Sequence, residues 1–114
     1  MTSLLVPKPG DVVLITFEFL NHTGSKLRPA VIVSKRSYNE HWDRFIFAPI
    51  SGSPGSVEGA TEIQDIADAK LNRRSYCHGI LFTADTNNIQ RTLGQLSTRD
   101  MDKVRKMIHE TLAI

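Results

Sequence analysis

The sequence has one cysteine, one tryptophan, two tyrosines and no long apolar run. A lone cysteine, Cys77, cannot form an internal disulfide or a cysteine-rich zinc site, which excludes a secreted disulfide scaffold and a zinc module. Because no apolar run approaches the ~20 residues that span a bilayer, we expect no membrane segment. Residues 1–9 have no basic region before their short apolar run and no cleavage site, so we expect a cytoplasmic protein.

The chain also has almost no excess of positive over negative charge. The chain has 14 lysines and arginines against 12 aspartates and glutamates, a formal net charge of +2. The distribution is uneven, since residues 70–114 carry eight basic and four acidic groups while residues 51–69 carry four acidic groups and no basic one. This is weak evidence for an anionic partner, because a dedicated DNA-binding protein is far more basic. Solvated charged surfaces are the alternative.

Length and apolar content predict a single domain over residues 1–114. Hydrophobic residues make up 40% of the chain, which is ordinary for a folded protein and too much for disorder. A domain usually has about 100–200 residues, so this length leaves room for one core and none for a second.

The first half is typical of a β-rich fold. Asp11 to Phe19, Ala30 to Val33 and Arg44 to Ile50 are rich in β-branched and aromatic residues, and each predicts a strand. Between the last two, Ser37 to Asp43 predicts a turn or a short helical piece. Period 2 divides the first strand into two faces, and its better core candidates are Val13, Ile15, Phe17 and Phe19.

The second half predicts shorter strands and then a helix. Strands are expected at Thr61 to Ile63, Ser75 to Phe82 and Ile89 to Leu96, and Gly79 indicates a bulge or a close backbone approach. Ser97 is a good N-cap for a helix whose apolar stripe consists of Met101, Val104, Ile108 and Thr111 or Leu112. The sequence therefore predicts an α+β fold, a small barrel of five to seven mostly antiparallel strands with a C-terminal α-helix.

Four landmarks in order resemble one known family. They are Pro9-Gly10-Asp11-Val12-Val13, Arg28-Pro29-Ala30-Val31-Ile32-Val33-Ser34, Ala48-Pro49-Ile50-Ser51 and Leu93-Gly94-Gln95-Leu96-Ser97. From about Pro9 to the C-terminus the chain resembles the PemK/MazF toxins of type II toxin–antitoxin systems. The resemblance implies an SH3-like barrel, a homodimer, an inhibitory antitoxin, and metal-independent cleavage of single-stranded RNA bound in a basic groove across the dimer.

RNA cleavage by the adjacent 2′-hydroxyl needs a base, an acid, and donors for the charge that builds on phosphorus. Arg28 matches the arginine of the family's Arg-Pro motif, which the resemblance makes catalytic; its guanidinium suits phosphate oxygens. Ser51 matches the position where family members carry Thr or Ser, and its hydroxyl can donate to a phosphate oxygen. His22 and His78 are candidates for proton transfer. The alternative for each is an ordinary surface, turn or strand role.

Four further residues are predicted to bind RNA. Lys26 lies in the loop before Arg28 and can meet a phosphate as a point charge, Ser53 follows Ser51, and Arg73 and Arg74 can contact the RNA backbone without sequence preference. No cofactor and no metal site is expected. Tyr38, Trp42 and Tyr76 are either base-stacking or core residues, the latter being the commoner role. Cys77 is expected to be a buried or half-buried thiol.

One family motif is missing, and its absence keeps other functions open. Many members carry Asp-Gln-x-(Arg/Lys)-(Thr/Ser) after the central helical turn. Counting back from Gly94 without a gap places the final residue at Thr83, the acidic position at Gly79 and the basic one at Phe82. A catalytically impaired module that binds RNA or protein is therefore the second hypothesis. An adaptor for proline-rich ligands ranks last, because the few aromatic residues fall mostly inside predicted strands.

Overall fold

The computed structural model describes residues 7–18, 25–53 and 59–114. Within these ranges the chain forms seven antiparallel strands and two helices. In order they are β1 (Asp11–Glu18), β2 (Ser25–Ile32), α1 (Arg36–Trp42), β3 (Arg44–Ser51), β4 (Ala60–Glu62), β5 (Tyr76–His78), β6 (Phe82–Asp85), β7 (Ile89–Gln95) and α2 (Thr98–Leu112). The predicted α+β class with a C-terminal helix is confirmed. Neither helix within the described ranges has the length and apolarity that crossing a membrane requires.

β3 is the strand around which the sheet is organised. One of its edges pairs with β2, and the other pairs first with β6 and then with β5. Phe47 and Ile50 are three positions apart on β3, whereas their partners Phe82 and Cys77 are five positions apart. The two extra residues lie in the segment 79–81 between β5 and β6, which confirms the irregularity predicted at Gly79.

The strand order is β4-β5-β3-β2-β1-β7, with β6 beside the first half of β3. A 3₁₀ turn at Thr86–Asn88 connects β6 directly to β7. Strands β6, β3, β2, β1 and β7 therefore curl into a ring whose two ends are neighbours in sequence. Among the described residues no ladder joins β6 to β7, so the sheet is open there.

The buried apolar residues form two clusters on opposite faces of the sheet. One lies inside the ring and contains Val13, Ile15, Ala30, Ile32, Phe45 and Phe47, with Phe82, Ala84 and Ile89 packed against it. The other lies between the outer face and α2, and its members include Val12, Val31, Ala48, Ile50, Cys77, Met101, Val104 and Met107.

The expectation of one core is therefore wrong, whereas Val13 and Ile15 are buried as predicted. Val12 and Val13 are both fully buried although they point to opposite faces. The curvature of the sheet covers one face, while α2 covers the other. A short chain therefore buries two apolar clusters. Phe19 and the side chain of Phe17 lie outside the part of the structure that is described.

α2 begins as predicted, because the hydroxyl of Ser97 accepts a hydrogen bond from the Asp100 amide at 3.3 Å. Its buried side consists of Met101, Val104 and Met107, with Ile108 half-buried. Of the two residues expected to complete the stripe, Leu112 is 48% exposed, and it is Thr111 that approaches the sheet.

A buried carboxylate fastens the start of α2 to the rest of the fold. Asp100 is 1% exposed, and its two oxygens accept hydrogen bonds from the amides of Gln64 and Asp65 at 2.9 and 2.8 Å. Asp65 in turn accepts two hydrogen bonds from the guanidinium of Arg99, at 2.8 and 2.7 Å. These contacts join α2 to the helical turn over residues 65–70.

Replacing Asp100 by alanine is expected to lower the free energy of unfolding by about 2–4 kcal/mol, because two partly buried amides lose their acceptor. Asp102→Ala removes a carboxylate that is 66% exposed on the same helix and should change stability by less than about 0.5 kcal/mol. Urea unfolding followed by circular dichroism measures both variants. Similar losses in the two would contradict the role assigned to Asp100.

Asp65 makes stability depend on acid pH. Hydrogen bonds from Arg99 and Ser97 lower the pKa of the Asp65 carboxyl from 3.8 to about 2. The unfolded chain keeps the ordinary pKa, so the contribution of the ionised carboxyl is complete above about pH 4 and is lost as the pH falls towards 2. Thermal unfolding between these pH values should therefore be less pH-dependent in Asp65→Asn than in the wild type. Asp68→Asn, an exposed residue of the same turn, should keep the wild-type dependence.

Candidate active site

The ladder between β2 and β3 ends where Ala30 lies opposite Pro49. Continuing its register by two residues brings Arg28 opposite Ser51, on the same face of the sheet. Each residue is held from its outer side, since Arg28 pairs with Ile15 of β1 and Ser51 with Tyr76 of β5. The two strands are thus fixed, and the space between them is free of backbone pairing.

A cleft of about 490 Å³ occupies this space. Its lining residues are Arg28, Pro29, Ile50, Ser51, Gly52, Leu71, Asn72, Arg73 and Ser75. None of them is acidic. The structure therefore brings together Arg28, Ser51 and Arg73, three of the residues predicted to act on RNA.

Ser51 forms a hydrogen-bonded group with His78 and Ser53. The Ser51 hydroxyl lies 2.8 Å from Nε2 of His78 and donates to the carbonyl oxygen of Ser53 at 2.7 Å. Nε2 of His78 also lies 3.1 Å from that carbonyl oxygen. Ser51 and His78 are half-buried. An imidazole is thus one hydrogen bond away from a hydroxyl at the edge of the cleft.

Arg73 and Arg74, which were both predicted to bind RNA, have different surroundings. A β-carbon at Gly52 would lie 3.1 Å from Cζ of Arg73, so the guanidinium rests directly against the glycine that follows Ser51. Arg74 instead pairs with Glu62 at 3.5 Å and does not line the cleft. Arg28 and Arg73 form no ion pair with any residue that the structure describes. Within the described part of the chain, the cleft therefore has two cations without an acidic partner.

The remaining predicted site residues lie apart from the cleft or outside the description. Lys26 is exposed on β2, two residues before Arg28, and does not line the cleft. His22 lies outside the described residues. Ser53 takes part through its carbonyl oxygen. Of the aromatic candidates, Tyr76 pairs with Ser51, whereas Trp42 is 59% exposed near the opposite end of β3.

Packing occupies the two positions at which the count from Gly94 places the family's acidic and basic residues. A β-carbon at Gly79 would lie 2.7 Å from Oγ1 of Thr111 and 3.0 Å from Sδ of Met107, so no carboxylate fits there while α2 is in place. Phe82 stacks on Phe47 inside the ring, with ring centroids 5.3 Å apart. Both positions are used for packing, and His78 is the ionisable residue at this point of β5.

Several lining residues were not predicted as site residues, and Leu71 and Asn72 are two of them. Leu71 and Asn72 reach the cleft from the segment between the turn at 65–70 and β5, and no periodicity or motif marks them. In the described ranges, no three side chains of His, Cys, Asp or Glu meet as a group that could hold a metal ion.

A hydroxyl, an imidazole and two guanidinium groups that have no ion-pair partner among the described residues meet at one cleft, and they define a candidate phosphodiester-binding protein. A family model for PemK-like, MazF-like toxins of type II toxin–antitoxin systems matches residues 8–112. The chain belongs to this family, as the sequence landmarks predicted. No curated protein matches the sequence.

Solved structures share the fold. An endoribonuclease in complex with its cognate antitoxin, from a mycobacterial species, gives a TM-score of 0.76 at 18% identity over 95% of this chain and 96% of that one. MazE-MazF from Deinococcus radiodurans gives 0.76 at 17% identity over 96% and 98%. The Mycobacterium tuberculosis toxin MazF-mt6 gives 0.69 at 18% identity over 90% and 97%.

Cys77 adjoins His78 in sequence but lies on the other face of β5. Burial against α2 raises the pKa of its thiol to about 12, so it is not a nucleophile at neutral pH. We expect iodoacetamide to leave the folded protein unlabelled and to label the urea-unfolded chain, as read by mass spectrometry. Rapid labelling of the folded protein would contradict the closed packing of β5 against α2.

Proposed function

We propose that this protein is the toxin of a toxin–antitoxin pair, an endoribonuclease that cleaves single-stranded mRNA through the adjacent 2′-hydroxyl and without a metal ion. The observation that supports this most is the placement of Arg28 across the gap from Ser51, whose hydroxyl lies 2.8 Å from His78. A positively charged cleft with a proton-transfer group at its edge suits a phosphodiester.

In the proposed reaction the 2′-oxygen attacks phosphorus and the bond to the 5′-oxygen breaks. The products are a 2′,3′-cyclic phosphate and a 5′-hydroxyl end. Arg28 stabilises the charge on the phosphorane, and Ser51 positions the phosphate by donating to one of its oxygens. His78 accepts the proton of the 2′-hydroxyl at Nε2 and returns it to the departing 5′-oxygen, and His22 is the other candidate for these transfers. Arg73 and Lys26 hold neighbouring phosphates.

Partners follow from family membership. We propose a homodimer, in which the clefts of two copies form one longer basic groove, and a cognate antitoxin that blocks it. We propose that the protein acts in the cytoplasm, where mRNA and a cognate antitoxin would be available to it. Co-expression with the protein encoded by a neighbouring short gene should restore growth.

A module that binds RNA or protein without cleaving is the second candidate. It is favoured by the packing at Gly79 and Phe82, which leaves neither family charge in place. If this candidate is correct, the protein binds RNA without forming cleavage products, and cells that express it alone grow normally.

The test is incubation of the purified protein with a long RNA in EDTA. We expect cleavage, reduced about 100-fold or more in Arg28→Ala, because a donor to the developing charge is lost. His78→Asn should also reduce cleavage by about 100-fold, through loss of proton transfer.

Two matched variants serve as controls for this test. Arg44→Ala removes an exposed arginine at the other end of β3 from Ser51. Seven residues along a strand, at ~3.3 Å each, separate the two by about 23 Å. His41→Asn removes an exposed histidine of α1. Both should cleave like the wild type. RNA that stays intact with the wild-type protein, with or without divalent metal, would contradict the endoribonuclease proposal and leave the binding module.

A further inference from the structure

We propose that the groove between β4 and α2 binds an extended peptide segment of a partner protein, one that carries a carboxylate side chain. The inference goes beyond the proposed function, because this groove lies on the α2 side of the sheet whereas Ser51 and His78 face the other side. Its basis is the juxtaposition of a strand edge with free backbone groups and two lysines that form no ion pair with a described residue.

β4 is the last strand of the sheet, so only one of its edges is paired among the described residues. The Gly79 amide donates to the Gly59 carbonyl oxygen at 2.7 Å, and the Ile63 amide donates to the Ser75 carbonyl oxygen at 2.9 Å. Hydrogen bonding alternates along an antiparallel strand, so the odd-numbered residues of 59–63 direct their backbone groups towards β5. Ala60 therefore directs its amide and its carbonyl oxygen away from the sheet.

α2 runs beside this free edge. Nζ of Lys103 donates to the Glu62 carbonyl oxygen at 2.5 Å, which fastens the helix to one end of the edge. At the other end, a β-carbon at Gly59 would lie 3.3 Å from Oγ1 of Thr111. A groove of about 790 Å³ opens between these two contacts, and its lining residues are Gly59, Ala60, Thr61, Lys103, Lys106, Met107, Glu110 and Thr111.

The groove has the length of a short piece of extended chain. Lys103 and Thr111 are eight residues apart on α2, a distance of about 12 Å at ~1.5 Å per residue. About four residues of an extended chain, at ~3.3 Å each, have this length. A peptide strand in the groove can exchange two hydrogen bonds with Ala60, which is the way in which free sheet edges bind peptides.

The charges along the groove determine where the occupant places its carboxylate. Lys103 and Lys106 line the groove at the end towards Glu62, and within the described ranges neither forms an ion pair. Glu110 lies about one helical turn from Lys106, towards the Gly59 end. A carboxylate is therefore attracted to the lysine end and repelled from the other. A nucleic-acid phosphate could use the lysines, but the outward carbonyl oxygen of Ala60 would repel it.

The experiment titrates the protein with the fluorescent peptide acetyl-Thr-Val-Glu-Val-Thr-amide and with an analogue that has lysine in place of glutamate. We expect the glutamate peptide to bind about tenfold more tightly, as read by fluorescence anisotropy. In NMR spectra of the isotope-labelled protein, the largest amide shifts should occur at Ala60 and along residues 103–107. Shifts confined to the cleft beside Arg28 would overturn the inference.

N-methylated peptides test the backbone pairing. Alternate residues of an extended peptide direct their amides to one edge. Methylating the two valine nitrogens therefore blocks one edge, and methylating the nitrogens of glutamate and the second threonine blocks the other. One of these analogues should lose binding and the other should keep it. Equal loss in both, or no loss in either, would contradict strand addition.

Two substitutions, each with a matched control, locate the binding site. Lys106→Glu should reverse the preference, so that the lysine peptide binds more tightly, whereas Lys35→Glu, at an exposed lysine before α1, should leave it unchanged. Ala60→Pro removes an amide that points away from β5, a change that edge strands tolerate, and should weaken binding of the glutamate peptide about tenfold. Ala60→Ser keeps the amide and should bind like the wild type. Circular dichroism checks that the variants fold.

The outcomes separate this inference from the proposed function, because no RNA is present in the peptide titrations. Binding of neither peptide, or a preference for glutamate that survives in Lys106→Glu, would overturn the inference. A labelled 2′-deoxy oligonucleotide whose binding depends on Lys106 but not on the Ala60 amide would also overturn it and assign the groove to RNA. Peptide binding as expected, with no cleavage of long RNA, would support the inference and reject the endoribonuclease.

Discussion

The interruption of backbone pairing between β2 and β3 is the constraint on which the candidate site depends. Pro29 stands at this end of β2 and supplies no amide donor towards β3, so the ladder cannot continue with full pairing. The strands stay ordered because β1 and β5 hold their outer edges. A polar gap inside a rigid sheet results, and Arg28 and Ser51 lie on its two sides.

The packing of α2 then determines which ionisable group lies beside this gap. Because side chains alternate along β5, Cys77 and Gly79 face the helix while Tyr76 and His78 face the site. The close approach of Thr111 leaves Gly79 no room for a side chain. The same strand thus closes a core on one face and offers an imidazole on the other, and proton transfer would depend on this imidazole rather than on a carboxylate.

Local and periodic features of the structure were predictable from the sequence, and features set by distant contacts were not. Strand alternation, the Ser97 cap and the Arg-Pro and Pro-x-Ser landmarks are short-range patterns, and they located the strands, α2, Arg28 and Ser51. The second apolar cluster depends on how far the sheet curls, which no window of sequence records. Asn72 reaches the cleft only because the turn at 65–70 packs on Gly94.

The electrostatic character of the cleft comes from the placement of charges rather than from their sum. The net charge of +2 is small, yet several acidic groups are engaged elsewhere, as Asp65 is with Arg99 and Glu62 with Arg74. Among the described residues, Arg28 and Arg73 have no such partner and no acidic side chain lines the cleft. Attraction of a polyanion falls off within about 10 Å at moderate salt, so these two cations outweigh the distant compensated pairs. A nearly neutral chain can therefore present a positively charged cleft.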